Sequence, residues 1–274
     1  MYEFPVETPL SVDLRVASGS CSITAEECDT ATVLVEPVKP DDERARQAAA
    51  ETVVQLTGDE LVIKTPETNG IGWLFGRRTA ALRITVRIPL DSALDAKVAS
   101  AEVRCGGRLR ALSVTNASGD VIADHVTGDT TINTASGDIQ VSRVDGTVKA
   151  KSASGDLRVD YVGGGVSHNS ASGDTTLGTT LGGVKIHAAS GDIRIGAARS
   201  GSVKVTTASG DVSVGVPAGT GVWLDLNTAS GTTTSDLTMS GDRPTATHDL
   251  ELRVSTASGD VEVHRVPAVD PEPA

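Results

Sequence analysis

Residues 135–156 of this chain read ASGDIQVSRVDGTVKAKSASGD, which is one complete repeat and the start of the next. The tetrapeptide Ala-Ser-Gly-Asp recurs with a strict spacing of 18 residues, beginning at Ala117, Ala135, Ala153, Ala171 and Ala189. It returns at Ala208 and Ala257, with a degenerate copy at Ala229, so the spacing relaxes to 19, 21 and 28. A fixed period of this length predicts a repeat architecture.

Each repeat divides again, because a second glycine turn follows the first by nine residues, at Gly128, Gly146, Gly164 and Gly182. After most turns comes an apolar-x-apolar triplet, such as Ile139/Val141. Alternation with a period of two sends successive side chains to opposite faces, which is typical of a β-strand. The sequence therefore predicts two short strands and two tight turns in each repeat.

Two strands cannot bury their apolar faces alone, whereas coils stacked about 4.8 Å apart form parallel sheets with an aliphatic interior. We therefore predict an all-β fold, a parallel β-solenoid of about 18 residues per coil. A triangular coil of three hexads also fits the period, but its template steps from Val121 to the polar residues Thr127 and Asn133. The nine-residue division favours a flattened coil.

The domain organisation follows from where the repeat is visible. Residues 1–95 show the alternation typical of strands but lack the repeat. We predict that they form an irregular β-rich N-terminal cap containing one short helix at 41–51, after Pro40. Residues 96–266 are predicted to form the solenoid domain, with irregular coils from about residue 217. Residues 267–274 are expected to be a disordered tail.

Composition limits the classes of partner. Only 2% of the residues are aromatic, and the formal net charge is −12. Such a chain lacks stacking platforms for bases and repels phosphate backbones, so we expect no nucleic acid partner. The first residues lack the pattern of a signal peptide, no apolar run predicts a membrane span, and the three cysteines include no CxxC pair. These features favour the cytoplasm.

The most conspicuous polar feature is a ladder of turn residues, one Ser-Gly-Asp set for each coil. Serine and aspartate bond turn amides and glycine adopts positive φ, so we interpret the ladder as structural. Stacked carboxylates could instead recruit a cation, but the spacing of the calcium-binding nonapeptide is absent. The ladder consists of Ser118, Gly119, Asp120, Ser136, Gly137, Asp138, Ser154, Gly155, Asp156, Ser172, Gly173, Asp174, Ser190, Gly191, Asp192, Ser209, Gly210, Asp211, Ser258, Gly259 and Asp260.

No catalytic, cofactor or metal site is predicted. The five histidines share no repeat position, and we interpret them as solvent-facing strand or turn residues. No nucleophile motif is present, and near-constant coil length argues against the groove of a carbohydrate-active β-helix. One basic and aromatic cluster, formed by Trp73, Phe75, Arg77 and Arg78, is a candidate partner-binding loop.

Several of these motifs together resemble the bacterial β-strand-repeat proteins labelled "putative adhesins", domain-of-unknown-function family 4097, of the actinobacterial type. The resemblance rests on the opening residues 3–9, on residues 32–37 and 83–89, and on the Ala-Ser-Gly-Asp coils. It implies a β-solenoid-like fold and carries over no catalytic residues.

The resulting functional hypothesis is a non-enzymatic scaffold or protein-interaction protein, acting through an unknown protein partner or self-association. Three alternatives stay open: a surface adhesin that binds glycan or protein, a polymer resembling bactofilins, and a carbohydrate-active β-helix enzyme.

Overall fold

The structure is a computed structural model that describes residues 1–66, 80–237 and 249–268. The chain forms two compact units, Met1–Ser142 and Arg143–Ala274. Unit 1 contains β1 (Tyr2–Pro5), β2 (Ser11–Glu26), β3 (Thr30–Pro37), α1 (Glu43–Glu51), β4 (Val53–Thr57), β5 (Glu60–Lys64), β6 (Leu82–Pro89), β7 (Ala93–Leu109), β8 (Ala111–Ser118), β9 (Val121–Val126) and β10 (Thr130–Ser136). β11 (Ile139–Val144) spans the boundary.

Unit 2 contains β12 (Val148–Ser154), β13 (Leu157–Val162), β14 (Val166–Ser172), β15 (Thr175–Thr180), β16 (Val184–Ser190), β17 (Ile193–Ala198), β18 (Gly201–Ser209), β19 (Val212–Pro217), β20 (Val222–Ser230), β21 (Thr233–Ser235), β22 (Leu250–Ser258) and β23 (Val261–Val266). The prediction of an all-β solenoid with two strands per coil is confirmed. The single described helix, nine residues long, does not approach the length of a membrane span.

Unit 1 is built around β2, a strand of 16 residues that pairs in parallel with β7 along most of its length. Its centre reads Ala17-Ser18-Gly19-Ser20, and Ser18 lies opposite Ser100. A coil of the repeat thus lies within residues 1–95, where the sequence pattern predicts no repeat. On its other side β2 pairs in parallel with β5 and β6, while β1, β3 and β4 add antiparallel strands.

The helix α1 begins where the sequence predicts, after the residues that follow Pro40. The Asp42 side chain accepts hydrogen bonds from the backbone N–H groups of Arg44 and Ala45, at 3.0 and 3.3 Å, and so caps the helix. Ala45 is its one fully buried residue. The prediction of one short helix is confirmed.

Unit 2 consists of two ladders of parallel strands that alternate along the chain. Its regular coils keep a register of 18 residues, as Val148 opposite Val166 and Val166 opposite Val184 show. Most of the inward side chains are aliphatic and at most a few per cent exposed, including Ile186 and Ile193. The two ladders enclose this core between them, because the side chains of His168 on β14 and Thr175 on β15 meet in it.

The order of the last coils in space differs from their order in sequence. β18 pairs with β22, and β22 pairs with β20, so the coil at 250–266 lies between the coils at 201–217 and 222–235. The strand β21 reads Thr-Thr-Ser and is exposed throughout, whereas Leu250 and Leu252 of β22 are fully buried. A coil with no apolar residues in its second strand is suited to the outer position, because it has nothing to bury against a second neighbour.

Candidate functional site

The Ser-Gly-Asp ladder forms hydrogen bonds between coils. Within each unit, one carboxylate oxygen of a ladder aspartate accepts a bond from the backbone N–H of the aspartate in the neighbouring coil, as from Asp174 to Asp156 and from Asp192 to Asp174, both 2.8 Å. Asp260 in the same way accepts from the N–H of Thr232, at 2.7 Å. The aspartates therefore serve as acceptors for turn amides that would otherwise face solvent unpaired.

The ladder glycines have a steric reason to be glycine. Gly173 has a φ of +113°, a region that L side chains rarely adopt, and a Cβ added there would lie 2.3 Å from the carbonyl oxygen of Gly155. The turns of neighbouring coils thus approach each other too closely for any side chain at this position.

A second polar column, which the sequence analysis missed, lies inside the corner next to the ladder. The residue before each Ala-Ser-Gly-Asp is buried at several coils, as at Asn116, Thr134, Thr207 and Thr256. The three threonine hydroxyls donate to the carbonyl oxygen two residues ahead, as from Thr134 to Ser136 at 3.1 Å. The signal was present in the sequence, since six of the eight copies have Ser or Thr at this position.

His168 contradicts the expectation that the histidines face solvent. It is fully buried, and its Nδ1 lies 3.0 Å from the Thr175 hydroxyl across the core. Burial lowers the pKa of the imidazole to about 4, since no charge is tolerated there without a partner. His125, His187 and His264 are half-buried, and His248 lies outside the described residues.

The thiols show no sign of activation. Cys21 and Cys105 are buried, and burial raises the pKa of each thiol to about 12. A thiolate, the nucleophilic form, is therefore negligible at neutral pH. Cys28 is half-buried, and like the other two cysteines it forms no disulfide. Within the described ranges, no three His, Cys, Asp or Glu side chains lie close enough to hold a metal ion.

The predicted partner loop, Trp73, Phe75, Arg77 and Arg78, lies outside the described residues. Another candidate binding surface, which the sequence did not predict, lies on the outer face of one sheet of unit 2. Cations occupy equivalent outward positions on several neighbouring strands, and we call this surface the basic face. It carries Lys149, Lys151, Lys185, Lys204 and Arg253.

Strand register places four of these cations in one row, with Lys151 beside it. Lys185 lies opposite Lys204, and Lys204 lies opposite Arg253, on strands β16, β18 and β22. Lys149 joins the same row across Ser167 of β14. Adjacent strands are about 4.8 Å apart, and two like charges at that distance in water repel each other by about 0.9 kcal/mol.

Few carboxylates offset the row. Glu251 pairs with Arg253 at 2.6 Å, and Asp225 follows Arg253 in the row. Among the residues that the structure describes, the four lysines have no ion-pair partner. The arginines of the other ladder differ, since Arg158 pairs with Asp160 at 2.9 Å and Arg194 lies 3.7 Å from Asp192.

A shallow groove of about 240 Å³ lies at one end of the basic face, between β18, β22 and β20. Next to it, Trp223 on β20 is 37% exposed, and the Arg253 guanidinium lies over its ring, 5.1 Å from the centroid. The groove is lined by Lys204, Val205, Thr206, Asp225, Asn227, Arg253, Val254 and Ser255. An exposed indole and a guanidinium are thus held together at the end of a row of unpaired lysines.

The basic face also had a sequence signal. A cation stands between two apolar residues in Val-Lys-Ala at 148–150, Val-Lys-Ile at 184–186, Val-Lys-Val at 203–205 and Leu-Arg-Val at 252–254. The repeat predicts that each points outward. It does not show that 252–254 lies directly beside 203–205, because another coil separates them in sequence.

The family model of Toastrack, DUF4097, matches residues 11–264. The chain therefore belongs to the Toastrack family, and the suspected resemblance is confirmed at the level of the family. No curated protein matches it.

Solved structures with similar chains share little sequence identity with this one. A "putative adhesin" from Bacteroides fragilis is 14% identical, with 97% of this chain and 95% of that chain covered and a TM-score of 0.46. A "putative cell adhesion protein" from Clostridium sporogenes is 11% identical, with 97% and 98% covered and a TM-score of 0.22. A "putative lipid binding protein" from Parabacteroides distasonis is 13% identical, with 97% and 96% covered and a TM-score of 0.34.

Proposed function

We propose that this Toastrack protein is a non-catalytic scaffold that binds a partner protein through the basic face of unit 2. The observation that carries the proposal is the row of lysines without carboxylate partners on a chain whose net charge is −12. Like charges on directly opposed strands destabilise a sheet, so the fold alone offers no reason to align them. A partner with complementary charge supplies one.

The described polar groups support a binding role over catalysis. The ladder aspartates bond turn amides, the buried thiols stay protonated, and His168 is enclosed in the core. Three free cysteines, two of them buried, support a reducing compartment, and we propose the cytoplasm as the location. The net charge of −12 repels phosphate backbones over most of the surface, so the proposal does not extend to nucleic acid as a partner.

A site-specific photo-crosslinking experiment tests this proposal. A crosslinking residue is introduced at Lys204, and in a matched variant at Arg194, which occupies an equivalent outward position on the other ladder. We expect one defined partner protein to crosslink at position 204 in the producing cell and not at 194. Crosslinking of the same proteins at both positions, or at neither, would contradict the proposal, as would polysaccharide cleavage by the purified protein.

Self-association is a second candidate, because one strand edge of unit 2 is open. Among the described residues β20 pairs with β22 on one side and with no strand on the other. Its inward residues Val222, Leu224 and Leu226 are half-buried, whereas the equivalent residues of β22 are at most 2% exposed. An unpaired edge of nine residues whose one charge is Asp225 can pair with the same edge of a second copy, and the pairing closes as a dimer.

Sedimentation across a range of protein concentrations tests the dimer. Leu226→Lys, which adds a charge to the open edge, should abolish it, while Asn227→Lys on the outward side of the same strand should preserve it. A wild-type protein that stays monomeric at every concentration would exclude this candidate, and growth beyond a dimer would favour a polymer instead.

A further inference from the structure

We infer that the ligand of the basic face is a short acidic segment of the partner protein, laid along the row of cations across β12, β14, β16, β18 and β22. This inference rests on the proposed function and names the chemistry of its partner. It follows from the length of the row, from the charges around it and from the aromatic pair at its end.

The length of the row sets the size of the segment. From Lys149 on β12 to Arg253 on β22 the register crosses four strand spacings. At about 4.8 Å for each spacing the row of cations is about 19 Å long, which an extended peptide of about six residues spans. The lysines are exposed and flexible, so their ammonium groups can reach carboxylates on such a segment without an exact match in spacing.

The surrounding charge favours a short anion over a long one. A column of exposed or half-buried carboxylates, including Asp174, Asp192 and Asp211, runs along the ends of the strands that the row crosses. The Debye length at physiological salt is about 8 Å, so the basic face acts locally while the acidic column acts on whatever extends beyond it. An anionic polysaccharide or membrane extends over those carboxylates and is repelled, whereas a segment of a few residues stays on the row.

The Trp223 and Arg253 pair provides an anchor at one end. Tryptophan and arginine are the residue types that most often dominate the energy of protein interfaces. The groove beside them, at about 240 Å³, is smaller and shallower than the sites that enclose small molecules. A surface of this shape matches a peptide lying across strands, with one side chain seated in the groove.

The chain offers a fluorescent reporter for the test. It contains two tryptophans, Trp73 and Trp223, so the Trp73→Phe variant leaves Trp223 as the sole one. A heptaglutamate peptide is titrated into this variant, and heptaglutamine serves as the neutral control. We expect heptaglutamate to change the Trp223 fluorescence saturably, with an affinity that falls as salt rises, and heptaglutamine to leave it unchanged.

Two matched double variants locate the site. Lys185→Gln with Lys204→Gln removes two charges from the row, and we expect heptaglutamate to bind about tenfold more weakly. Arg158→Gln with Arg194→Gln removes two charges from equivalent positions of the other ladder and should change the affinity by less than about twofold. The melting temperatures of both variants should stay close to that of the parent, because all four side chains are on the surface.

Three outcomes would overturn the inference. They are equal weakening by both double variants, equal binding of heptaglutamine, and tighter binding to polygalacturonate or to vesicles of phosphatidylglycerol and phosphatidylcholine in equal amounts than to heptaglutamate. If heptaglutamate fails while a partner protein still crosslinks at position 204, the ligand chemistry is wrong and the scaffold proposal stands. If crosslinking also fails, both are wrong.

Discussion

Replacement of Ile193 by aspartate tests the central feature of the fold, the aliphatic interior between the two ladders of unit 2. Ile193 lies on β17 and is 1% exposed, and the strands on either side place Thr175 and Val212 opposite it. The next residue, Arg194, points outward with its side chain 63% exposed. Ile193→Asp and Arg194→Asp therefore introduce the same side chain on opposite faces of one strand.

The expected cost follows from burial. Removing the isoleucine forfeits about 1.5–3 kcal/mol of apolar burial, and an unpaired charge in the core adds about 3–5 kcal/mol. The sum is comparable with the whole stability of a typical domain, about 5–15 kcal/mol. Arg194→Asp loses one exposed ion pair and places a carboxylate near Asp192, which costs at most about 1 kcal/mol.

Urea unfolding and amide hydrogen exchange measure the two effects. Because each coil contacts its neighbours, we expect Ile193→Asp to lower the protection of β15, β17 and β19 first. If the two variants unfold at the same urea concentration, Ile193 does not face the interior and the assignment of inward and outward residues in this strand is wrong.

Three further predictions concern the turn ladder and the buried histidine. Gly173→Ala should destabilise the protein by about 3 kcal/mol in urea unfolding, because of its positive φ and the Gly155 carbonyl, whereas Gly58→Ala, with a φ of +63° and nothing within 4 Å, should cost about 1 kcal/mol. Asp174→Ala should cost about 1 kcal/mol more than Asp174→Asn, which removes the same charge but keeps an oxygen for the Asp192 N–H; equal unfolding midpoints would contradict the role of this bond. The pKa of His168 is lowered from 6.5 to about 4 by burial, so the unfolded state binds the proton first as the pH falls. The wild type should therefore lose up to about 3 kcal/mol of unfolding free energy relative to His168→Leu between pH 6.5 and pH 4, and above pH 6.5 the difference between the two proteins should not change with pH. A difference that stays constant between pH 6.5 and pH 4 would refute the assignment.

Local patterns predicted the strands and turns well, because their causes are local. Apolar residues two apart at Ile193 and Ile195 define an inward face whatever the neighbouring strand is. Glycine at a tight turn and aspartate beside it follow from backbone geometry at the turn itself. The helix after Pro40 was predictable for the same reason, since its cap lies within a few residues of its start.

The buried polar groups were harder to predict. His168 sits at an inward position of its strand, yet its residue type suggested the surface, and only the Thr175 hydroxyl across the core explains how its ring is accommodated. The hydroxyl column beside the ladder was visible as a recurring Ser or Thr, but its bonds to carbonyls two residues ahead needed the shape of the corner. In both places the partner is defined by packing.

The sequence by itself determined the repeat, the two strands in each coil and the side of each strand that faces inward. Periods of two and of 18 residues can be seen along the chain without knowing which strands pair. Tertiary structure alone decided that β2 belongs to the parallel stack and that β22 lies between β18 and β20. Strand pairing is a contact between distant residues, and an aliphatic strand fits beside any other in the array. That pairing brings Arg253 next to Lys204 and so completes the basic face.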